Sequence, residues 1–521
     1  MGLSMAQKRI VIIGGGFGGV HTARTLEKLL RPEEAEICLV NRENYFVFQP
    51  LLPEVLTGSL GVLDTVAPIR RLCPRTRLYT REVERIDLAG RQVVMLPGFR
   101  PRASHLPYDV LVLAPGAVVD FTGMQGMAEH ALPFRTLGDA LRLRNRLIQA
   151  MEEAENETDL EFRRRLLTFV VAGGGFSGVK VVAEINDFVR GAVRHFRNIR
   201  QEDIRSVLVH SGELILPEMS PSLARHAQNV LAKRGIELRL RSRIESATAD
   251  SAVISGAEVI GTRTVVSTVP AGPAPLIEQL DVPKEKGRLN VTEFLEVRGH
   301  EGVVWAVGDC TNAGTPTGRA AESESQAAAG NICAVLRGQT QKSFHFEGYG
   351  KLGSLGHHSG VAEVMGLRIS GFLAWILWRL FYLGKMPGLD QKFRVAFDSF
   401  TSLLFPTDFV QVRIQASDNI TYEHFAPGEV VFEEGDVGDR LYVIRKGQVE
   451  VLQNGSQVSV LGTGEYFGEM ALLSSRPRTA TVRALQATDL LAVNKGDFDK
   501  LLIGFPEFQS GLSELAARRS A

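Results

Sequence analysis

Two stretches of the chain repeat one glycine pattern behind a short apolar run: "RIVIIGGGFGGVHTARTLEKLL", starting at Arg9, and "LLTFVVAGGGFSGVKVVAEINDF", starting at Leu166. Each reads as a buried strand, a tight turn and a helix. Gly14, Gly16 and Gly19 fill the glycine positions of GxGxxG in the first copy. Gly173, Gly175 and Gly178 fill them in the second, with Ser177 inside the turn. Glycine at these places permits the turn and lets backbone approach a pyrophosphate, while the helix N-terminus supplies amide donors and a favourable dipole. Such a unit is part of a doubly wound α/β layer. Two copies therefore imply two Rossmann-like domains and two nucleotide sites.

The length of 521 residues leaves room for further domains. Fifty-nine basic residues balance fifty-nine acidic ones, so nothing global points to nucleic acid. Cys38, Cys73, Cys310 and Cys333 form no CxxC and no disulfide framework, which fits a reducing cytosol. The first apolar run enters glycines at once and reads as a strand, not a secretory signal. Two more apolar strands, "YDVLVLAPG" (Tyr108–Gly116) and "GVVWAVGDC" (Gly302–Cys310), run into small-residue turns. Asp309 falls at a strand's carboxyl end, where open α/β sheets bind ligands. The strand "EICLVNRENYF" should end in an acid for ribose hydroxyls, and has Asn41 and Arg42 instead. An amide still hydrogen-bonds a diol.

Two fingerprints, an A-x-G turn and a late strand ending in Gly-Asp resemble the two-dinucleotide-binding-domain flavoproteins. Within them "NYFVFQPLLPEVLTGSL", "FRTLGDALRLRNRL" and "SGFLAWILWRLFYLGKMPGL" look like a type II NADH dehydrogenase, a monotopic NADH:quinone oxidoreductase. The resemblance implies FAD on Gly14, Gly16, Gly19, Asn41, Arg42, Val83, Ala114, Gly116 and Asp309, with the "FQPLLP" loop and its Gln49 near the flavin ring. It implies NADH over Gly173, Gly175, Ser177, Gly178, His210 and Gly272. Hydride then passes to flavin and two electrons pass to a membrane quinone. The cofactors carry that chemistry, so no carboxylate pair or nucleophile triad is required.

Three places depart from the family pattern. Lys180 stands where relatives usually carry a glutamate between the nicotinamide and quinone sites; a solvated lysine is the plain alternative. Glu184, one turn on, shares its face and offers partial compensation. His210 replaces the acid that would bind the NADH ribose, with Glu213 as a substitute, and no arginine cluster welcomes a 2′-phosphate. The quinone-side pattern reads "AESESQ", leaving Glu322 and Gln326 on one face, either for a quinone head group or for solvent.

"GFLAWILWRLFYLGKMPG" holds an apolar run from Phe372 to Trp378 that Arg379 interrupts. Spanning a bilayer takes about 20 apolar residues, so this segment is too short to cross. Trp375, Trp378 and Tyr382 suit the interfacial belt, and Arg368, Arg379, Lys385, Lys392 and Arg394 suit anionic headgroups. Phe393, Phe397, Phe400 and Leu404 recur at helical spacing behind them. A peripheral, cytoplasm-facing anchor is expected, with buried core helices as the alternative.

From Tyr422 the chain reads as short strands between glycine turns, the pattern of a small all-β jelly roll. "FGEMALLSSRPRTATV" (Phe467–Val482) is a phosphate cradle: Gly468 for close approach, Glu469 for a ribose hydroxyl, Met470 and Ala471 opening a helix, Arg478 for a bidentate phosphate contact. About residues 418 to 516 resemble cyclic-nucleotide-binding domains. Thr479 after the arginine does not decide between cAMP and cGMP, and a barrel that has lost its ligand is the alternative. No helix-turn-helix follows, so a DNA-reading partner is not expected.

The expected division is 1–135 and 286–350 for FAD, 136–285 for NADH, 351–412 for the anchor and 413–521 for the cyclic nucleotide. Two other readings stay open. A sulfide:quinone oxidoreductase needs paired redox cysteines, and only Cys310 stands near the flavin. A flavin-bearing sensor that no longer turns over is kept open by Lys180. The resemblance also implies a homodimer.

Overall fold

Ile10, Val11, Ile12 and Ile13 are buried on both sides of their strand, because a parallel sheet covered by helices leaves neither face wet. The structure is a computed structural model. It describes residues 7–96, 104–269, 271–314, 317–346, 350–356, 358–404, 410–411, 420–436, 438, 440–474, 477–494 and 498. The side chain of Leu404 and the expected ends of the barrel, 413–419 and 499–521, lie outside the described residues.

The strand Lys8–Ile13 sits in the middle of a five-stranded parallel sheet, between Val110–Leu113 and Ala35–Asn41, with Val304–Ala306 and Arg77–Thr80 at the edges. Its turn therefore opens where the strand order reverses, the place at which such sheets bind ligands. The helix Phe17–Leu29 follows and packs along Gly318–Leu336.

A second parallel sheet repeats the plan, ordered Ala131–Pro133, Thr264–Ser267, Thr168–Ala172, Arg205–Val209 and Ile236–Arg239. Its fingerprint strand Thr168–Ala172 is again flanked on both sides, and the helix Phe176–Ala192 leaves its turn. An antiparallel ribbon, Ala117–Val119 against Ala271–Pro273, joins the two units.

Three antiparallel strands, Gly350–Ser354, Gly360–Val364 and Leu367–Gly371, then lead into the helices Phe372–Lys385 and Leu389–Leu404. Two four-stranded antiparallel sheets complete the described chain. One holds Ile420–Phe425, Thr488–Asn494, Arg440–Lys446 and Tyr466–Phe467. The other holds Val430–Phe432, Thr481–Ala484, Gln448–Gln453 and Ser456–Gly462. Phe425, Tyr442, Ile444, Phe467 and Leu490 fill the space between them.

Among the described residues, this barrel meets the nucleotide-binding units tightly at His130. His130, at the end of the short helix Met127–His130, lies 2.8 Å from the backbone N and 2.9 Å from the carbonyl O of His424. Burial lowers its pKa to about 4, so Nε2 accepts from the His424 N–H. The His424 ring in turn reaches Asp489 at 2.6 Å.

Candidate functional site

The two fingerprint turns are built alike. Gly14 and Gly173 sit at φ +106° and +111°, a region closed to side chains. A Cβ on Gly19 would stand 1.8 Å from the Gly14 carbonyl oxygen, and one on Gly178 1.7 Å from that of Gly173. Strand and helix thus meet at van der Waals limits behind each turn. In front, nothing lies within 4 Å of a Cβ placed on Gly16. The closed back and open, amide-lined front fit a dinucleotide pyrophosphate.

The residue ending each next strand pins its turn. Gly15 N–H donates to Asn41 Oδ1 at 2.8 Å, and Asn41 Nδ2 donates to Glu43 O at 2.8 Å. Gly174 N–H donates to His210 Nδ1 at 3.2 Å. That makes Nδ1 the acceptor, so Nε2 carries the proton and donates to Leu214 O at 3.1 Å. His210 spends both nitrogens on the turn, while Asn41 keeps a lone pair and an N–H. Glu213 is exposed and 3.2 Å from Arg241. The acid that faces the second turn is Glu218, which sequence reading missed. Its Oε1 is 3.8 Å from a Cβ on Gly175, and its buried Oε2 has no hydrogen-bond partner among the described residues. Ser177 is exposed at the helix start, and Gly272 sits on the joining ribbon against Asp120.

Around the first turn, Ala114 and Gly116 follow the strand Val110–Leu113, and nothing stands within 4 Å of a Cβ on Gly116. Val83 is half-buried, while Gln49 and Arg42 are exposed. Asp309 pairs with Arg135 at 3.2 Å. The turn before it is held by Glu324, which accepts the Gly308 N–H at 2.6 Å. Burial pushes the Glu324 carboxyl up to about 7 despite that bond. Cys310 is buried, its thiol driven above the usual range by desolvation, and all four cysteines are free. A redox pair at this position is absent among the described residues.

Lys180 is not solvated. It is buried, with Nζ 2.8 Å from Glu54 Oε1, 2.9 Å from Pro50 O and 3.9 Å from the ring centre of Trp378. The other Glu54 oxygen pairs with Arg379. Burial alone would raise the Glu54 carboxyl, but Arg379 and Lys180 together hold it below the usual range. Burial draws Lys180 down, against Glu54. Glu184 is buried as well and is pushed up to about 8 by desolvation, which Lys180 opposes.

Glu322 and Gln326 share one side of the helix Gly318–Leu336 and line a cavity of about 450 Å³ with His21, Arg24, Lys28 and Lys385. Lys385 holds both Glu322 oxygens at 3.0 Å. His21 is lowered to about 4 by burial, with Glu322 opposing.

Two expectations for the helix Phe372–Lys385 are corrected. Trp378 is buried and Tyr382 is packed 5.0 Å from it, so neither belongs to an interfacial belt. Arg379 points inward to Glu54 instead of to headgroups. The helix is apolar nearly all round, so periodicity did not single out its inward stripe. The outward surface carries Phe372, Leu373 and Leu380, and the next helix exposes Phe393, Phe397 and Phe400. Among the described residues no helix is long and apolar enough to cross a membrane.

In the barrel, Phe467, Glu469, Ala471 and Arg478 are buried, Gly468 and Met470 half-buried, and Thr479 exposed. Arg478 lies 4.0 Å over Phe432 and donates from Nη1 to Gly468 O and from Nη2 to Arg440 O, both at 2.9 Å. Its fork thus reaches two neutral carbonyls.

The repeated turns at two switch points, without a cysteine pair, define a flavoprotein of the two-dinucleotide-binding class. Comparison agrees: the model for pyridine nucleotide-disulphide oxidoreductases matches residues 8–329, the NDH2 C-terminal domain 349–408 and the cyclic nucleotide-binding domain 422–504. The Mycobacterium tuberculosis type II NADH:quinone oxidoreductase NdhA is 31% identical over 410 residues, covering 75% of this chain and 86% of NdhA. Its counterpart Ndh is 31% identical over 405 residues, covering 74% and 85%. The Plasmodium falciparum NDH2 structure in complex with NADH superposes with a TM-score of 0.71 at 18% identity, over 78% of this chain and 100% of that one, a likeness of fold. The chain belongs to the type II NADH:quinone oxidoreductases: it binds flavin and NADH and reduces a quinone.

Proposed function

We propose an FAD-dependent NADH:quinone oxidoreductase, peripheral on the cytoplasmic face of the membrane, whose turnover responds to cAMP or cGMP bound in the barrel. Bound FAD would supply the redox chemistry, accepting hydride from NADH and passing two electrons to quinone. The protein's part is to hold and orient. Gly14, Gly16, Gly19 and Asn41 hold the FAD pyrophosphate and ribose, with Val83, Ala114, Gly116 and Asp309 as further FAD contacts and the loop of Gln49 near the flavin ring. Gly173, Gly175, Ser177, Gly178 and Gly272 hold NADH. Glu218 supplies the acceptor for its ribose that His210 does not, which favours NADH over NADPH. Glu322 and Gln326 face the quinone side, and the exposed Phe and Leu residues of the last two helices, with Lys392, lie on the membrane. A homodimer is carried from the resemblance alone.

The observation behind regulation is a run of contacts from cradle to flavin site. Arg478 bonds the Arg440 carbonyl, and the Arg440 side chain bonds Glu423 at 2.5 Å. Next to Glu423, His424 docks on His130. Five residues beyond, Arg135 pairs with Asp309. A phosphate that draws the Arg478 fork from its two carbonyls biases this run, which is the differential contact that ligand control requires.

Wild-type turnover should therefore change at least twofold with saturating cAMP or cGMP. His130→Ala should keep basal turnover within about twofold and keep nucleotide affinity by calorimetry, yet lose the response. An undiminished response in the variant would remove His130 from the route; no wild-type response to either nucleotide would end the regulatory reading.

A further inference from the structure

Lys180, Glu54 and Arg379 come from three distant parts of the chain. Glu54 lies on the short helix Leu52–Thr57 behind the Phe48–Pro50 loop, Lys180 on the helix of the second fingerprint, and Arg379 on the helix Phe372–Lys385. The cluster is buried, and both Glu54 oxygens are engaged. Arg379 is itself steadied by Nε donating to Ser399 Oγ at 2.8 Å.

Two cationic side chains meet one carboxylate. Burial raises the Glu184 carboxyl one turn from Lys180, and Lys180 opposes that rise. Asp187 and Arg234 beyond it pair with each other. Breaking a buried cluster of this kind is costly, so each member is fixed in place by the others.

Beside Lys180 the walls are aromatic. Its ammonium faces Trp378, Trp378 packs on Tyr382 at 5.0 Å, and Tyr382 meets Phe48 at 6.1 Å. Flat aromatic rings grouped around one cation suit contact with a planar head group that gains negative charge at an oxygen.

We propose that Glu54 and Arg379 are positioning residues for the quinone half of the reaction: they fix the Lys180 ammonium between the Phe48–Pro50 loop and the helix Phe372–Lys385, where it stabilises negative charge on a quinone oxygen. The electrons come from NADH by the established activity, the two quinol oxygens take their protons from solvent, and Lys180 is not consumed. A preorganised cation where charge develops acts on the transition state more than on the bound substrate.

The test compares two acceptors: a short-chain ubiquinone analogue, and ferricyanide, which accepts one electron and no proton. Lys180→Met leaves Glu54 balanced by Arg379, so the fold should survive. Its kcat with quinone should fall on the order of 10²-fold, while the ferricyanide rate and the KM for NADH stay within about twofold. Lys180→Arg should recover quinone turnover to within about fivefold of wild type. Glu54→Gln leaves two cations unopposed, so its melting temperature should drop, and the pH profile of its quinone kcat should shift toward acid relative to wild type. Equal loss with both acceptors, or no rescue by arginine, would make the cluster a structural clamp and overturn the proposal. Wild-type reduction of quinone by NADH, run alongside, tests the enzyme assignment separately.

Discussion

Arg478→Ala should bind cAMP or cGMP at least about 10²-fold more weakly than wild type in calorimetry. The estimate follows from two charge-assisted hydrogen bonds from one guanidinium to a phosphate, each contributing about 1.5–3 kcal/mol. The side chain is already held in place, stacked on Phe432 and bonded to Gly468 O and Arg440 O. Little entropy is therefore lost when it turns to the ligand. Arg478→Lys keeps the charge but loses the fork and should fall about tenfold. The same alanine leaves two carbonyls without their donor, so the barrel should also melt earlier. Affinity that survives Arg478→Ala would mean that the cradle holds something other than a phosphate.

Gly19→Ala should yield protein with flavin in less than about one-tenth of molecules, read from the flavin absorbance after purification. The new methyl would stand 1.8 Å from the Gly14 carbonyl oxygen and 3.3 Å from Ile12 Cγ2. Backbone on one side and a fully buried strand on the other give it nowhere to go, and overpacking of this kind typically costs about 1–3 kcal/mol or more. The strand and helix must part, and the turn with them. Gly16→Ala is the matched control, since its methyl meets no protein atom within 4 Å. That variant should fold with a near wild-type melting temperature but bind flavin more weakly, because the methyl stands where the pyrophosphate approaches. Full flavin content in Gly16→Ala would place the pyrophosphate elsewhere.

The parts of this molecule that sequence could reach are those fixed within a few residues. The glycine spacing dictates each turn, and the strand before it is apolar on both faces, so both parallel sheets and the place of Asp309 were legible. The barrel was legible from alternation and turns. What escaped depends on partners far along the chain. Lys180 looked free because Glu54 is 126 residues away, and Arg379 looked fit for headgroups because Glu54 is 325 residues away. One local signal did exist. Glu54 interrupts the apolar "LLPEVL", and an acid in such a run asks for a buried cation. His210 shows the same dependence on partners: it holds the position of a ribose-binding acid and accepts the Gly174 amide. No spacing rule places Glu218, which reaches the second turn only once the "ILPEM" loop has folded.

The most direct measurement is anaerobic. One equivalent of NADH is added to the purified holoenzyme, the flavin absorbance is followed, and a short-chain ubiquinone analogue is then mixed in. Bleaching by NADH followed by full recovery on quinone, both at rates no slower than steady-state turnover, is the expected result. A flavin that stays oxidised with NADH, or one that NADH reduces but quinone leaves reduced, would contradict it.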